Sequence, residues 1–131
     1  MPNPEIQLIR PWRQYAPDWM GNATADQQWY VEVYPLTVQQ KMDWEAMANR
    51  VLSAPDISAY LALVDNVAAE VSKVMRGPFP PLAIERVDGT LLRIDTAAAL
   101  LRYAMTEDSS GELIREIMLG VARASVPASA W

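Results

Sequence analysis

The stretch PDISAYLALVDNVAAEVSKVMRGP, residues 55 to 78, decides the fold that this sequence predicts. Its apolar residues recur at intervals of three and four, which is the spacing of an amphipathic helix. Asp56 stands at its start and Arg76 precedes a glycine and a proline at its end, so both termini carry the charge that suits the helix dipole. We therefore predict a central helix over residues 56 to 76, roughly 30 Å long, with Val67 buried near its middle.

Three further segments carry helical capping signals and apolar stripes. Asp95 precedes the third helix, and Ser109 with Glu112 forms a capping-box pattern before the fourth. The four predicted helices span residues 37 to 52, 56 to 76, 95 to 105 and 110 to 124.

The first of these helices begins at the capping box TVQQ, in which Thr37 and the glutamine three residues later satisfy each other's backbone amides. One apolar stripe includes Trp44 and Met47, and a second, with Val38 and Met42, lies about a third of a turn or more away. Two interpretations remain open. The second stripe packs inside the domain, or it faces another protein, because methionine adapts to irregular surfaces.

Two segments predict a small sheet. Trp29 to Tyr34, WYVEVY, alternates aromatic and branched residues as a strand does. In LAIERVDGTLLRI, residues 82 to 94, the Asp-Gly pair predicts a hairpin with a two-residue type I′ turn that places Val87 opposite Thr90, and we expect the first segment to supply its third strand. Between the central helix and the hairpin, GPFPP predicts an extended connection. The fold class is mainly α, α+β: about four helices around a central long helix, with a small antiparallel sheet of two to three strands.

Residues 1 to 27 hold four of the chain's ten prolines and several aromatic side chains, and they predict an extended arm. The rings either fold back onto the protein's own core or dock on a neighbouring subunit. We predict docking, because an extended chain can hold Trp12 and Trp19 up to about 23 Å apart. The candidate partner-binding residues are Trp12, Tyr15, Trp19, Met20, Val38 and Met42.

The predicted organisation has three parts. The arm of residues 1 to 27 precedes a single globular helical domain over residues 28 to 124, and a tail of residues 125 to 131 ends at Trp131. The sequence does not decide whether that tryptophan is loose or docked.

The composition argues against catalysis. The 131 residues include no cysteine and no histidine, so thiolate nucleophiles, disulfides and cysteine zinc sites are absent, together with the commonest general base and metal ligand. The densest carboxylate group does not have the spacing of a calcium loop, and acidic residues at a helix start are expected from its dipole. That group is Glu107, Asp108, Glu112 and Glu116. We predict no catalytic site, no metal and no cofactor.

The charge argues for a protein partner. The chain carries 16 acidic and 11 basic residues, a net charge of -5, and the basic residues are scattered without a cluster. Nucleic-acid binding requires a concentrated basic face, and membrane insertion requires about 20 continuous apolar residues. We expect a soluble, intracellular protein that binds another protein, and a homo-oligomer is the alternative left open.

The order of elements resembles the tail assembly chaperones of long-tailed bacteriophages over about residues 29 to 124. The resemblance rests on a strand running into YPLT at Tyr34 to Thr37, two long helices, RVDGTLLRIDTAAALL at Arg86 to Leu101, and ELIREIM at Glu112 to Met118. It implies a non-enzymatic helical protein of the bacterial host cytoplasm that holds a tape-measure protein soluble and recruits tail-tube subunits. The alternatives are a virion subunit that uses its arm to lock neighbouring subunits, and a small acidic inhibitory or adaptor protein.

Overall fold

The computed structural model describes residues 4–6 and 11–124 as an α+β fold of four helices and two small antiparallel sheets. The helices are α1 (Val38–Leu52), α2 (Ile57–Ser72), α3 (Ala97–Thr106) and α4 (Glu112–Ala124). The strands are β1 (Arg13–Tyr15), β2 (Tyr30–Val33), β3 (Met75–Phe79), β4 (Leu82–Glu85) and β5 (Leu91–Ile94). The described residues thus confirm an α+β fold with four helices and small antiparallel strand pairing, and they hold five strands in two sheets where the sequence predicted one sheet of two to three. The predicted tail and Trp131 lie outside the described residues.

The core lies between α2, α3, α4 and the sheet β1-β2-β3, in which β2 is central. Val31 and Val33 of β2 are fully buried, and α4 packs on that strand while α3 packs on β3. The antiparallel contact of α2 with α3 is fixed at one end by the Tyr60 hydroxyl, which donates to the Met105 carbonyl at 2.8 Å. Val67 is 3% exposed, as the spacing of the central helix predicted.

The central helix ends four residues before its predicted end. α2 stops at Ser72, and Met75–Phe79 forms the edge strand β3 instead. Gly77, with φ of 115°, and the proline after it are incompatible with a helix, whereas an edge strand accommodates both. In the sheet, Met75 pairs with Val33 and is buried. The predicted extended connection over residues 77 to 81 is therefore in part a strand.

The hairpin forms between β4 and β5, but with a different turn and register. Glu85 pairs with Leu91 and Ile84 with Leu92, and the amide of Arg86 donates to the carbonyl of Thr90 at 2.8 Å. Arg86, and not Val87, therefore lies opposite Thr90, and the three residues 87–89 form the loop. Within this loop only Gly89 has positive φ, at 85°, which fits a three-residue loop with a left-handed glycine and not a type I′ turn. This register puts Ile84 and Leu92 on one face, towards the core.

The hairpin has no third strand among the described residues, because β2 pairs with β1 and β3 in the other sheet. The prediction that Trp29 to Tyr34 would extend the hairpin was wrong. Alternation along the strand identified it correctly as a strand, but alternation carries no information about its neighbour.

The helix starts match the signals in the sequence in two cases of four. Asp56 caps α2, as its place at the start of the central helix predicted. The capping box of α1 is formed by Thr37 and Gln40. The cap of α3 is Thr96, whose side chain accepts from the backbone of Ala99, and not Asp95. At α4 the Asp108 carboxylate accepts from the backbone of Leu113 at 3.0 Å, where the sequence predicted a box from Ser109.

Residues 11–27 of the N-terminal segment do not form a separate arm. β1 pairs with β2, and Trp19 is 6% exposed within the core. The buried side chain of Asn22 donates to the carbonyls of Pro17 and Trp29, each at 2.9 Å, and accepts from the amide of Trp29 at 3.0 Å. These three bonds close the loop that leads from the segment into β2. The predicted boundary between residues 27 and 28 is therefore not a domain boundary.

Candidate partner-binding groove

α1 and α2 form an antiparallel pair that is joined at both ends. The backbone amide of Tyr34, just before α1, donates to the carbonyl of Val74, just after α2, at 2.7 Å. The other ends are connected by the four residues 53–56, and the last of them, Asp56, caps α2 by accepting from the amide of Ala59 at 2.8 Å. The start of α1 therefore lies beside the end of α2.

Between these two helices lies an open groove with a volume of about 410 Å³. That volume falls in the range of about 300–1,000 Å³ that is typical of ligand pockets. The apolar side chains that line it are Leu36, Trp44, Ala46, Met47, Leu63, Val67, Ala69 and Val74. Trp44 is only half-buried, so its indole presents apolar surface to whatever enters the groove.

The two ends of the groove differ in the charge of the side chains that line them. Near the Tyr34 end, Asp43 of α1 lines it together with Glu70 and Lys73 of α2, and these last two pair at 3.0 Å. At the opposite end Arg50 of α1 lines it. The Tyr34 end thus carries a net charge of -1 and the other end +1.

Of the six predicted binding residues, three are held by the protein's own body. Trp12 packs on Tyr34 with ring centroids 5.3 Å apart, and the Arg76 guanidinium carbon lies 4.1 Å from its ring centroid. Tyr15 donates from its hydroxyl to Glu116 at 2.7 Å. Trp19 is buried in the core. Their predicted docking on another chain conflicts with these contacts, because large apolar rings are stabilised wherever they remove most surface from water.

The other three predicted residues are on the surface: Met20 is 80% exposed, Val38 78% and Met42 61%. Val38, Met42 and Leu52 lie within about 80° of arc on α1, and they form what we call the outer face. The groove uses the opposite side of the same helix. The second stripe of α1 therefore does not pack inside the domain among the described residues, and the interpretation that it faces another protein stays open.

The sequence patterns did not predict the groove between α1 and α2. Trp44 and Met47 were assigned to an inward stripe, which is correct, but the stripe does not reveal that α1 stands away from α2. The available signal is the small size of Ala46 and Ala69, one on each helix, since short side chains leave space between two walls. Alanine is also the most favourable helix former, so that signal is weak.

In the part of the chain that the structure describes, two other kinds of site lack the residues that they need. There, no three carboxylates come together as metal ligands would. None of the helices described combines the length and apolar composition that crossing a bilayer requires.

Comparison with known proteins identifies no relative. No protein-family model, no curated protein and no solved structure matches the chain.

Proposed function

We propose that this chain is a non-enzymatic protein of phage morphogenesis, similar to tail assembly chaperones, that binds an apolar segment of a tape-measure or tail-tube protein in the groove between α1 and α2. The observation that carries the proposal is the groove, which has apolar walls, a half-buried tryptophan and open access. Buried aromatic anchors dominate the energy of protein interfaces, and Trp44 is placed to act as one. The binding would take place in the host cytoplasm, before assembly.

The outer face of α1 supports a role in bringing two chains together. Val38, Met42 and Leu52 project on the side of α1 that faces away from the groove. A segment held in the groove and a second protein on the outer face would be separated by the width of one helix, about 10–12 Å. Holding one assembly component while recruiting another requires such an arrangement.

The alternative of a virion subunit depended on an arm that reaches a neighbour. Since residues 11–27 pack on the protein's own body, the described residues offer this alternative no such support. An inhibitory or adaptor protein would use the same groove, and it differs from a chaperone in the identity of the client.

The test is co-expression of the chain with the product of a long tape-measure gene beside its own gene, scored by the soluble fraction of that product. Ala69→Arg places a long charged side chain at the groove wall from an exposed position of α2 and should abolish the effect. Leu61→Arg is the control and should retain it, because Leu61 is exposed on α2, does not line the groove and lies about 80° around the helix from Ala69 on the side away from the groove. A gene neighbourhood without a tape-measure gene, or equal activity of both variants, would contradict the proposal.

A further inference from the structure

We propose that the groove selects a helical segment bearing an acidic and a basic side chain two turns apart, with aliphatic residues between them. The acidic side chain faces Arg50 and the basic one faces the end lined by Asp43 and Glu70. This inference deepens the proposed function and rests on it, because it names the chemistry of the segment that the same groove takes.

The helical form follows from the walls of the groove. α1 and α2 satisfy their backbone hydrogen bonds internally along most of their length, so neither offers a free strand edge to an extended peptide. A segment desolvated against Trp44 and Leu63 must satisfy its own backbone groups. A helix does so within the segment, and its apolar side chains at every third or fourth position fill the space between the walls.

The charge pattern follows from the side chains that have no ionic partner. Within residues 4–6 and 11–124, no ion pair involves Arg50 or Asp43, although Asp43 accepts a hydrogen bond from Gln39 at 3.1 Å. Glu70 is already paired with Lys73. A ligand therefore meets one available positive charge and one available negative charge.

The spacing of these charges matches that of a second helix. Arg50 and Asp43 are seven residues apart on α1, which is about 10.5 Å along the axis. On a helix lying along the groove, side chains seven residues apart project on nearly one side at the same separation. The acidic side chain of the ligand can then pair with Arg50 while its basic side chain pairs with Asp43. The order of the two charges in the ligand sets the direction in which it lies.

The experiment uses the full chain and three synthetic 15-residue helical peptides with identical leucine positions. They differ only at two sites seven residues apart, which carry one glutamate and one lysine, two glutamates, or two lysines. Titration calorimetry at low salt should show the mixed peptide binding about 3- to 10-fold more tightly than either other peptide. Raising the salt concentration should remove most of the difference, because the pairs are exposed.

Arg50→Glu makes both ends of the groove acidic, so the preference should change to the peptide with two lysines. Arg93→Glu, at an exposed position of β5 outside the groove, alters the net charge equally and should leave the mixed peptide preferred. Equal binding of all three peptides to the unaltered chain, lost in Ala69→Arg, would overturn the charge proposal and leave the groove function standing. If no peptide binds, the groove function itself fails.

Discussion

Gly120 of α4 lies against the ring of Tyr15 of β1 with no room for a side chain between them. A β-carbon at Gly120 would overlap Cδ1 of the ring and lie 2.6 Å from Cε1. The hydroxyl of the same tyrosine donates to Oε2 of Glu116, one turn earlier on α4, at 2.7 Å, and the amide of Asp18 donates to that oxygen at 3.3 Å. α4 therefore holds the N-terminal segment through one close contact and two hydrogen bonds.

Gly120→Ala should destabilise the protein, although alanine favours helix by about 1 kcal/mol over glycine. The overlap with Tyr15 forces the ring or the helix to move, and overpacking of this kind costs about 1–3 kcal/mol. Urea unfolding should show a lower free energy of unfolding. In a Tyr15→Ala background the same substitution meets no ring and should become stabilising. An equal effect in both backgrounds would show that the contact does not form.

Tyr15 should make the stability depend on alkaline pH. Burial, and after it the hydrogen bond to Glu116, together raise the pKa of Tyr15 from 10.0 to about 12. The folded state thus retains a proton that the unfolded state has lost, so this contribution to stability is complete below pH 10.0 and disappears as the pH rises through about 12. Unfolding free energies measured across that range should fall.

Two variants separate this titration from other causes of alkaline unfolding. Tyr15→Phe removes the phenol and should flatten the decline over that pH range. Glu116→Gln keeps an acceptor but removes the charge, so it should lower the pKa of Tyr15 in the folded state. The decline should still begin near pH 10.0 but end at a lower pH, and it should be smaller. Unchanged profiles in both variants would show that other groups control the alkaline transition.

The four helices could be predicted from the sequence because their signals are local. Apolar residues that recur at intervals of three and four, and a capping box such as that of Thr37, depend only on residues close in sequence. The partner of Trp29 to Tyr34 could not be predicted, because pairing with β1 and β3 joins residues far apart in sequence. The exposure of Met42 could not be predicted either, since an apolar stripe does not show what covers it.

Trp19→Ala should be among the most damaging single changes in this protein. Its indole packs edge-on to Trp29 and Tyr103, with ring centroids 6.4 Å and 5.8 Å away, and it is 6% exposed. Removing a buried tryptophan costs about 3–5 kcal/mol. Thermal unfolding should show a large fall in the melting temperature.

Trp12→Ala is the matched control, because Trp12 is only half-buried and packs on Tyr34 and Arg76 at the surface. It should lower the melting temperature much less. Deletion of residues 1 to 25 removes both tryptophans and β1, and should destabilise the body at least as much as Trp19→Ala. A truncated protein with an unchanged melting temperature would restore the interpretation of the segment as an independent arm.

Val67→Asp should unfold the domain, because Val67 is 3% exposed and a carboxylate there would be buried without a partner. Circular dichroism should show loss of the helical signal. Ala62→Asp introduces the same charge at an exposed position of the same helix and should remain folded. A soluble, native-like Val67→Asp protein would mean that another face of α2 is inward.

Gly89→Ala should weaken the hairpin even though nothing lies within 4 Å of the position where its β-carbon would stand. Gly89 has φ of 85°, and the left-handed region costs an L-residue about 1–2 kcal/mol. Gly89→Asn adds a larger side chain but tolerates that conformation better, so it should cost less than alanine. The loop is otherwise fixed by Asp88, which accepts from the Thr90 amide at 2.9 Å, so the strain cannot be relieved by a free turn. Unfolding free energies that fall in the order glycine, asparagine, alanine would support backbone strain as the cause. A loss of unfolding free energy that grows with side-chain size would indicate crowding and contradict the open geometry.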